Sequence, residues 1–472
     1  MTFMPKMRLG TIFAVCAGCA LRLFFVLKFP VADSGDAPFY IELAWNWLKN
    51  GVYGFPVNGH LIPVDMRVPG YPALLATVFL FAGRSTLAAL LAQIVIDVGT
   101  CFLIALIAAK LAPAASRRKV AMAGLWLGAL CPFTANYTAA PLTEILVTFL
   151  TALAILVLLD TELGEPVARR RPTLLSSPWF LGGIVVGFGT LVRPETPLLM
   201  IAAGLVAISK WWRPAEWKKL ARACTLMVAG LLLPLAPWAA RNLRTLHDVQ
   251  FLAPRYSLLP GEFAPLGFNA WNDTWLWRFR DVYLVTWKLE AEQMSVNEMP
   301  ASAFDSPQER DRVEAVFQEY NDTLTWTRGE DAALGRIARE RTARHPLRSY
   351  AEVPFLRSLT MWFTPRVELL PYSGHLWPVG ELWHDDRKDF EVTLSLAFAN
   401  FVLLALAVAG AWTARKRPGW AFLIAFILLR TAFFTTFGEA PEPRYVLECF
   451  PAVLALAAQV FGGRQLSSTG SG

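Results

Sequence analysis

Two acids, Asp36 and Glu144, and three arginines, Arg67, Arg193 and Arg444, stand where apolar runs of this chain begin or end. An ionised carboxylate at a membrane surface can accept a proton. The planar guanidinium of arginine suits phosphate oxygens. Asp36 lies two residues before Pro38 in GDAPFYIELAWNWLKNG, with Asp33 three residues earlier and Tyr40 four later. The Asp-x-Pro order also fits a helix N-cap, and the positive end of a helix keeps a carboxylate ionised, so the two readings are compatible. Glu144, in APLTEILVTFL, sits one turn from hydrocarbon, where an acid is retained for a partner or a task; helix capping is the alternative. Arg67 stands in DMRVPGYP, Arg193 in LVRPE and Arg444 in PEPRYVLE.

The elements that carry these groups follow from composition. The chain has 472 residues, 55% hydrophobic and 13% aromatic, with 18 Trp and a formal charge of +7. That composition fits a polytopic all-helical membrane protein. At roughly 20 apolar residues per crossing, about ten spans are expected: 9–29, 84–110, 119–139, 142–160, 178–195, 197–212, 222–240, 390–411, 419–437 and 445–462. Lys6 and Arg8, the Arg117-Arg118-Lys119 turn, Arg169-Arg170-Arg171, Lys210 to Lys219, and Arg415-Lys416-Arg417 then share one side, the cytoplasmic one. The positive charge therefore reads as membrane topology and not as a nucleic-acid surface. The opposite face carries a first external loop, 30–83, and a larger region, 241–389. Within the loop, 37–49 and 69–82 are apolar but too short to span, and are expected as interfacial helices with Trp45, Trp47 and Tyr53 at headgroup depth. Three parts result: an N-terminal transmembrane module, 1–245; an external region with interfacial helices, 246–389; and C-terminal transmembrane helices, 390–472.

Other polar groups read as scaffold. Gln93 and Asp97 share a face of the second span and should point inward, with Arg22 or Arg430 as partner for Asp97. The five His show no paired ligand spacing, so a divalent metal is unsupported, and no phosphate-binding Gly-rich loop or Walker sequence occurs. The six Cys lie in or beside apolar segments; Cys16-x-x-Cys19 is read as helix packing.

With GDAPFYIELAWNWLKNGVYGF after the first span, RVPGYPALLA, LTEILVTFL, LVRPE, PWAARN and PEPRYVLECFPAVLALAA, the chain resembles the type C (GT-C) glycosyltransferases. Within them it is similar to protein O-mannosyltransferases and to the bacterial transferase that adds aminoarabinose to lipid A. The likeness covers most of 9–245 and 430–462; 246–389 resembles nothing placed. It implies a GT-C-like bundle in which Asp36 is the catalytic carboxylate and Glu144 an assisting acid. Relatives often carry Asp-Glu at the first position, where this chain has Asp36-Ala37, and some use lysine where Arg67 stands.

The reaction so implied is inverting transfer of a sugar from a polyprenyl-phosphate donor to a hydroxyl of lipid A, another glycolipid, a glycan or a protein. Arg67, Arg193 and Arg444 would bind phosphate, and Asp33, Tyr40, His60 and Tyr445 would contact substrate. The lipid-linked sugar is the donor substrate, no cofactor is assigned with certainty, and a divalent metal is compatible with the reading but unsupported by any ligand spacing. The expected place is a bacterial inner membrane with the site on its periplasmic face. The alternatives are a lipid-linked saccharide flippase, motivated by Asp97, Arg22 and Arg430, or a glycan ligase or polymerase.

Overall fold

The structure, a computed structural model, describes residues 9–31, 35–163, 176–256, 263–377 and 379–462. It is helical apart from one short hairpin, and the chain divides into two compact units. The first comprises 1–255, 365–427 and 447–472; the second comprises 256–364 and 428–446.

The first unit starts with α1 (Leu9–Lys28), α2 (Ala37–Asn50), the hairpin β1 (Gly54–Val57) and β2 (His60–Pro63), and α3 (Gly70–Ala82). It continues through α4 (Thr86–Leu111), α5 (Arg117–Leu130), the single turn α6 (Pro132–Ala135), α7 (Glu144–Leu163), α8 (Pro178–Thr190), α9 (Leu198–Trp211) and α10 (Trp217–Leu246). After the second unit the chain forms α16 (Val379–Asp385), α17 (Arg387–Ala414), α18 (Trp420–Phe437), which runs across the division at 427/428, and α19 (Phe450–Ala457). Six helical stretches among the described residues are long and apolar enough to cross a membrane. The protein is an integral membrane protein.

Each expected span is helical, yet the lengths differ, and proline explains two cases. The 119–139 run breaks after Leu130, because the residue before a proline avoids the helical region and Pro132 follows Cys131. The run expected over 178–195 stops at Thr190, ahead of Pro194 and Pro197, leaving an apolar helix of 13 residues. That helix packs closely on α10: a Cβ on Gly183 would stand 2.2 Å from the Met227 carbonyl oxygen, so only glycine permits the approach.

Both expected interfacial helices form, as α2 and α3. Between them lies the hairpin, which was not anticipated; its turn is Asn58-Gly59, both at positive φ (51° and 80°), the geometry of a type I′ connection. Tyr53 departs from its expected interfacial role. Its ring is buried edge-to-face against Trp47 and Trp238, at centroid separations of 5.3 and 5.2 Å.

Arg22 and Asp97 are fully buried partners, with Nε donating to Oδ2 at 2.7 Å; Arg22 also donates to the carbonyls of Gly18 and Ala129. Arg430 belongs to the second unit, where its Nε donates to the Tyr445 carbonyl at 2.6 Å. Lys6, Arg8 and Arg169 to Arg171 lie outside the described residues.

The second unit contains α11 (Leu266–Asn272), α12 (Phe279–Val282), α13 (Pro307–Thr323), α14 (Arg328–Arg344) and α15 (Val353–Phe363). Ser306 and Thr327 cap α13 and α14, Thr327 within a complete capping box. Trp271, Phe317, Tyr320 and Trp326 fill its core. Buried Arg341 pairs with Glu309 and with Asp305, and Arg348 holds Asp305 at 2.6 Å. Its chain segments do not coincide with the external part expected over 246–389, because 365–389 belongs to the first unit.

Candidate functional site

The first unit brings the ends of four apolar elements to one place. A core of Tyr40, Ala44, Tyr71, Leu75, Leu142, Val147 and Val192 joins α2, α3, the start of α7 and the segment after α8. Asp36, Arg67, Glu144 and Arg193 are carried on the chain that enters or leaves these same elements.

Asp36 occupies the N-cap position of α2 but makes no side-chain cap bond, so capping does not consume it. Its Oδ1 instead accepts from Arg67 Nη2 at 3.0 Å. Both side chains keep about a third of their surface exposed, 31% for Asp36 and 36% for Arg67. Burial disfavours charge on Arg67, but the charge and hydrogen bond of Asp36, together with Tyr40 and Tyr53, outweigh that penalty and raise its pKa.

Arg67 is set by groups that the sequence did not single out for it. The Tyr53 hydroxyl donates to the Arg67 carbonyl at 2.9 Å. Arg241, from PWAARN, donates to the carbonyls of Tyr53 and Val64, each at 2.8 Å, and its guanidinium lies over the Trp238 ring at 5.0 Å. Gly70 N–H donates to Leu191 O at 2.6 Å, and a Cβ at Gly70 would meet that oxygen at 2.5 Å. The Arg67 loop and the Arg193 segment are therefore fastened together by main chain.

Arg193 faces three carboxylates: Glu144 at 3.6 Å, Glu195 at 3.5 Å and Glu448 at 3.5 Å. Glu144 is 2% exposed and opens α7, so the alternatives weighed for it meet: it sits in the first turn and also faces a cation. Glu195 and Glu448 were missed, although both stand in the quoted motifs, LVRPE and RYVLE. Nothing in their spacing, 253 residues apart, signals that they share one arginine.

Tyr40 lies between the two ion-paired groups and feels Asp36, Arg67, Arg193 and Glu144. Burial, with Asp36 as the next cause, pushes its hydroxyl up to about 12, so it stays protonated and able to donate. Tyr40 is 8% exposed, and its hydroxyl has no hydrogen-bond partner among the described residues. Tyr71 packs edge-to-face on Tyr40 at 5.3 Å and donates to Gln93 Oε1 at 2.9 Å. Gln93 in turn donates to Ala140 O at 2.8 Å, tying α4 to the turn before Glu144.

An apolar cavity of about 550 Å³ adjoins these loops, lined by Pro69, Leu146, Phe188, Val192, Pro237 and Trp238 among others. Among the described residues, no group of three His, Cys, Asp or Glu side chains is arranged to hold a metal ion.

Four more residues carry expected contacts. His60 is exposed at the start of β2, and Asp33 lies outside the described residues. Arg444 and Tyr445 belong to the second unit, where Arg444 pairs with Glu442 and Tyr445 stacks on Phe434 at 4.4 Å.

No protein-family model and no curated protein sequence matches the chain. Among solved structures it is similar to the oligosaccharyltransferase AglB from Archaeoglobus fulgidus in complex with an inhibitory peptide and a dolichol-phosphate. That likeness has 13% identity and a TM-score of 0.48, over 96% of this chain and 49% of that one. The chain thus spans about half the length of the archaeal enzyme. It is also similar to ArnT from Cupriavidus metallidurans bound to undecaprenyl phosphate, with 12% identity and a TM-score of 0.39, over 96% of this chain and 76% of that one.

Proposed function

We propose that this protein is an inverting glycosyltransferase that takes a sugar from a polyprenyl-phosphate donor and places it on an acceptor hydroxyl at the extracytoplasmic membrane face. The observation that carries the reading is the partly exposed Asp36–Arg67 pair at 3.0 Å, a base and a phosphate ligand side by side. The apolar cavity lined by Pro69, two residues along the chain from Arg67, and by Val192, next to Arg193, gives the donor's hydrocarbon chain a place.

In this mechanism the donor phosphate engages Arg67, and the Asp36 carboxylate turns to the acceptor. The acceptor oxygen attacks the anomeric carbon, its proton passes to Asp36, and the bond from that carbon to the phosphate oxygen breaks. The singly charged diester leaves as a doubly charged monoester, and Arg67 meets the added charge. The protonated Tyr40 hydroxyl donates a hydrogen bond to the sugar or phosphate. Arg193, surrounded by three carboxylates, holds Glu144 in place and is not the first phosphate ligand. Acceptor class, lipid, glycan or protein, is separated by the mass of the radiolabelled product.

The flippase alternative drew on Asp97, Arg22 and Arg430. With Arg22 and Asp97 fully buried and bonded to each other and to backbone carbonyls, those residues support a scaffold role. The deciding experiment is transfer from a lipid-linked sugar by Asp36→Asn. Loss of a general base costs about a hundred- to ten-thousand-fold. Wild-type turnover by a folded Asp36→Asn protein sinks the assignment.

A further inference from the structure

A second apolar cavity, of about 610 Å³, lies between α5 and α17, away from the residues of the candidate site. Met122, Trp126 and Leu130 line it from α5, Phe398 and Val402 from α17, and Phe461 from the chain after α19. Phe398 is 67% exposed, so the cavity opens sideways along a face that the spanning length of α17 places in hydrocarbon. Its polar lining residue is Lys119, in the first turn of α5.

Three features of this groove point to one class of occupant. From Lys119 to Leu130 there are eleven helical steps, which at 1.5 Å each span roughly 17 Å, about half of the roughly 30 Å hydrocarbon core. The groove is therefore as long as one leaflet is deep. At its polar end Arg117, Arg118 and Lys119 are all exposed and occupy the first turn of α5, where the helix dipole also favours an anion. No acid occurs in the sequence between Asp97 and Glu144 or between Glu391 and Glu439, so neither element brings a carboxylate to neutralise that end.

We infer that this groove is a binding site for an anionic phospholipid, with one acyl chain along Trp126 and Phe398 and the headgroup phosphate at Lys119. Basic pockets between spanning helices take acidic headgroups for the same reason: the charge is paired at the interface while the chain replaces lipid-exposed voids. The site is independent of the transfer chemistry proposed above.

Native mass spectrometry of the detergent-purified full chain tests this, titrated separately with phosphatidylglycerol and with phosphatidylcholine of the same acyl chains. The expected result is retention of phosphatidylglycerol at a concentration at least tenfold lower. Lys119→Gln should reduce the preference several-fold, and Arg117→Glu with Arg118→Glu and Lys119→Glu should abolish it. Ala123→Trp, which fills the groove, should lower retention of both lipids. Equal retention of the two lipids by the wild-type chain overturns the inference. So does an undiminished preference in the Lys119→Gln protein, which changes only one exposed side chain, or a second copy of the chain held through this face.

Discussion

The Tyr40 hydroxyl is the most informative single atom of the site, because it is protonated, belongs to a side chain only 8% exposed and has no hydrogen-bond partner among the described residues. Tyr40→Phe breaks no hydrogen bond to any described residue, so stability should change by less than the roughly 0.5–1.5 kcal/mol that a lost bond costs. Thermal unfolding in detergent checks that. Transfer should slow by about tenfold, equivalent to about 1.4 kcal/mol of transition-state interaction. Because Tyr40 titrates near 12, the pH–rate profiles of wild type and Tyr40→Phe should have the same shape below pH 10. A difference there would assign an ionisation to this tyrosine. At Arg67, Arg67→Lys should keep more kcat/KM than Arg67→Met, since a point charge still meets phosphate although the planar fork is lost.

Elements matter because they hold these atoms at fixed spacing. The contact between Gly70 and the Leu191 carbonyl leaves no room for a methyl group, so Gly70→Ala must push α3 from the segment that carries Arg193. Activity should fall more than stability does, which a comparison of kcat/KM with the unfolding midpoint measures. The buried Arg22–Asp97 pair is the second lever. Asp97→Leu alone strands a charge and should cost about 3–5 kcal/mol, whereas Arg22→Met with Asp97→Leu should recover much of that loss. Unfolding of the two variants side by side gives the comparison. How much of this was legible beforehand follows from range along the chain. Gln93 and Asp97 could be assigned inward from their four-residue spacing, and α2 and α3 from their short apolar runs. Asn58-Gly59 carries a hairpin signal, but the strands it joins are only four residues each and lie between two longer apolar helical runs. Tyr53 and Arg241 could not be assigned as supports for Arg67, since their role depends on main-chain carbonyls brought together by tertiary packing.

At the scale of the molecule, the second unit contains a buried ion network around Arg341, Glu309 and Asp305. Burial tends to raise the Asp305 carboxyl, but the hydrogen bond from Arg348 and the charges of Arg341, Arg348 and Arg344 outweigh it and hold it below its ordinary value. The folded pKa is depressed, so its stabilising contribution is complete above the unfolded Asp value of about 3.9 and is lost as pH falls through the folded pKa. Asp305→Asn should lower the unfolding midpoint at pH 7, and the gap from wild type should narrow on acidification below about pH 4. The division into two units was itself hidden from hydropathy, because segments far apart in sequence build each one. Residues 447–462 return to the first unit after the second has been made; they include Glu448, one of the acids around Arg193, and α19, whose residues are all buried. During synthesis this stretch is the last of the described chain to leave the ribosome. Until it arrives, the cradle around Arg193 lacks a wall, so this part of the first unit can close only after residues 256–364 and 428–446 have already been made.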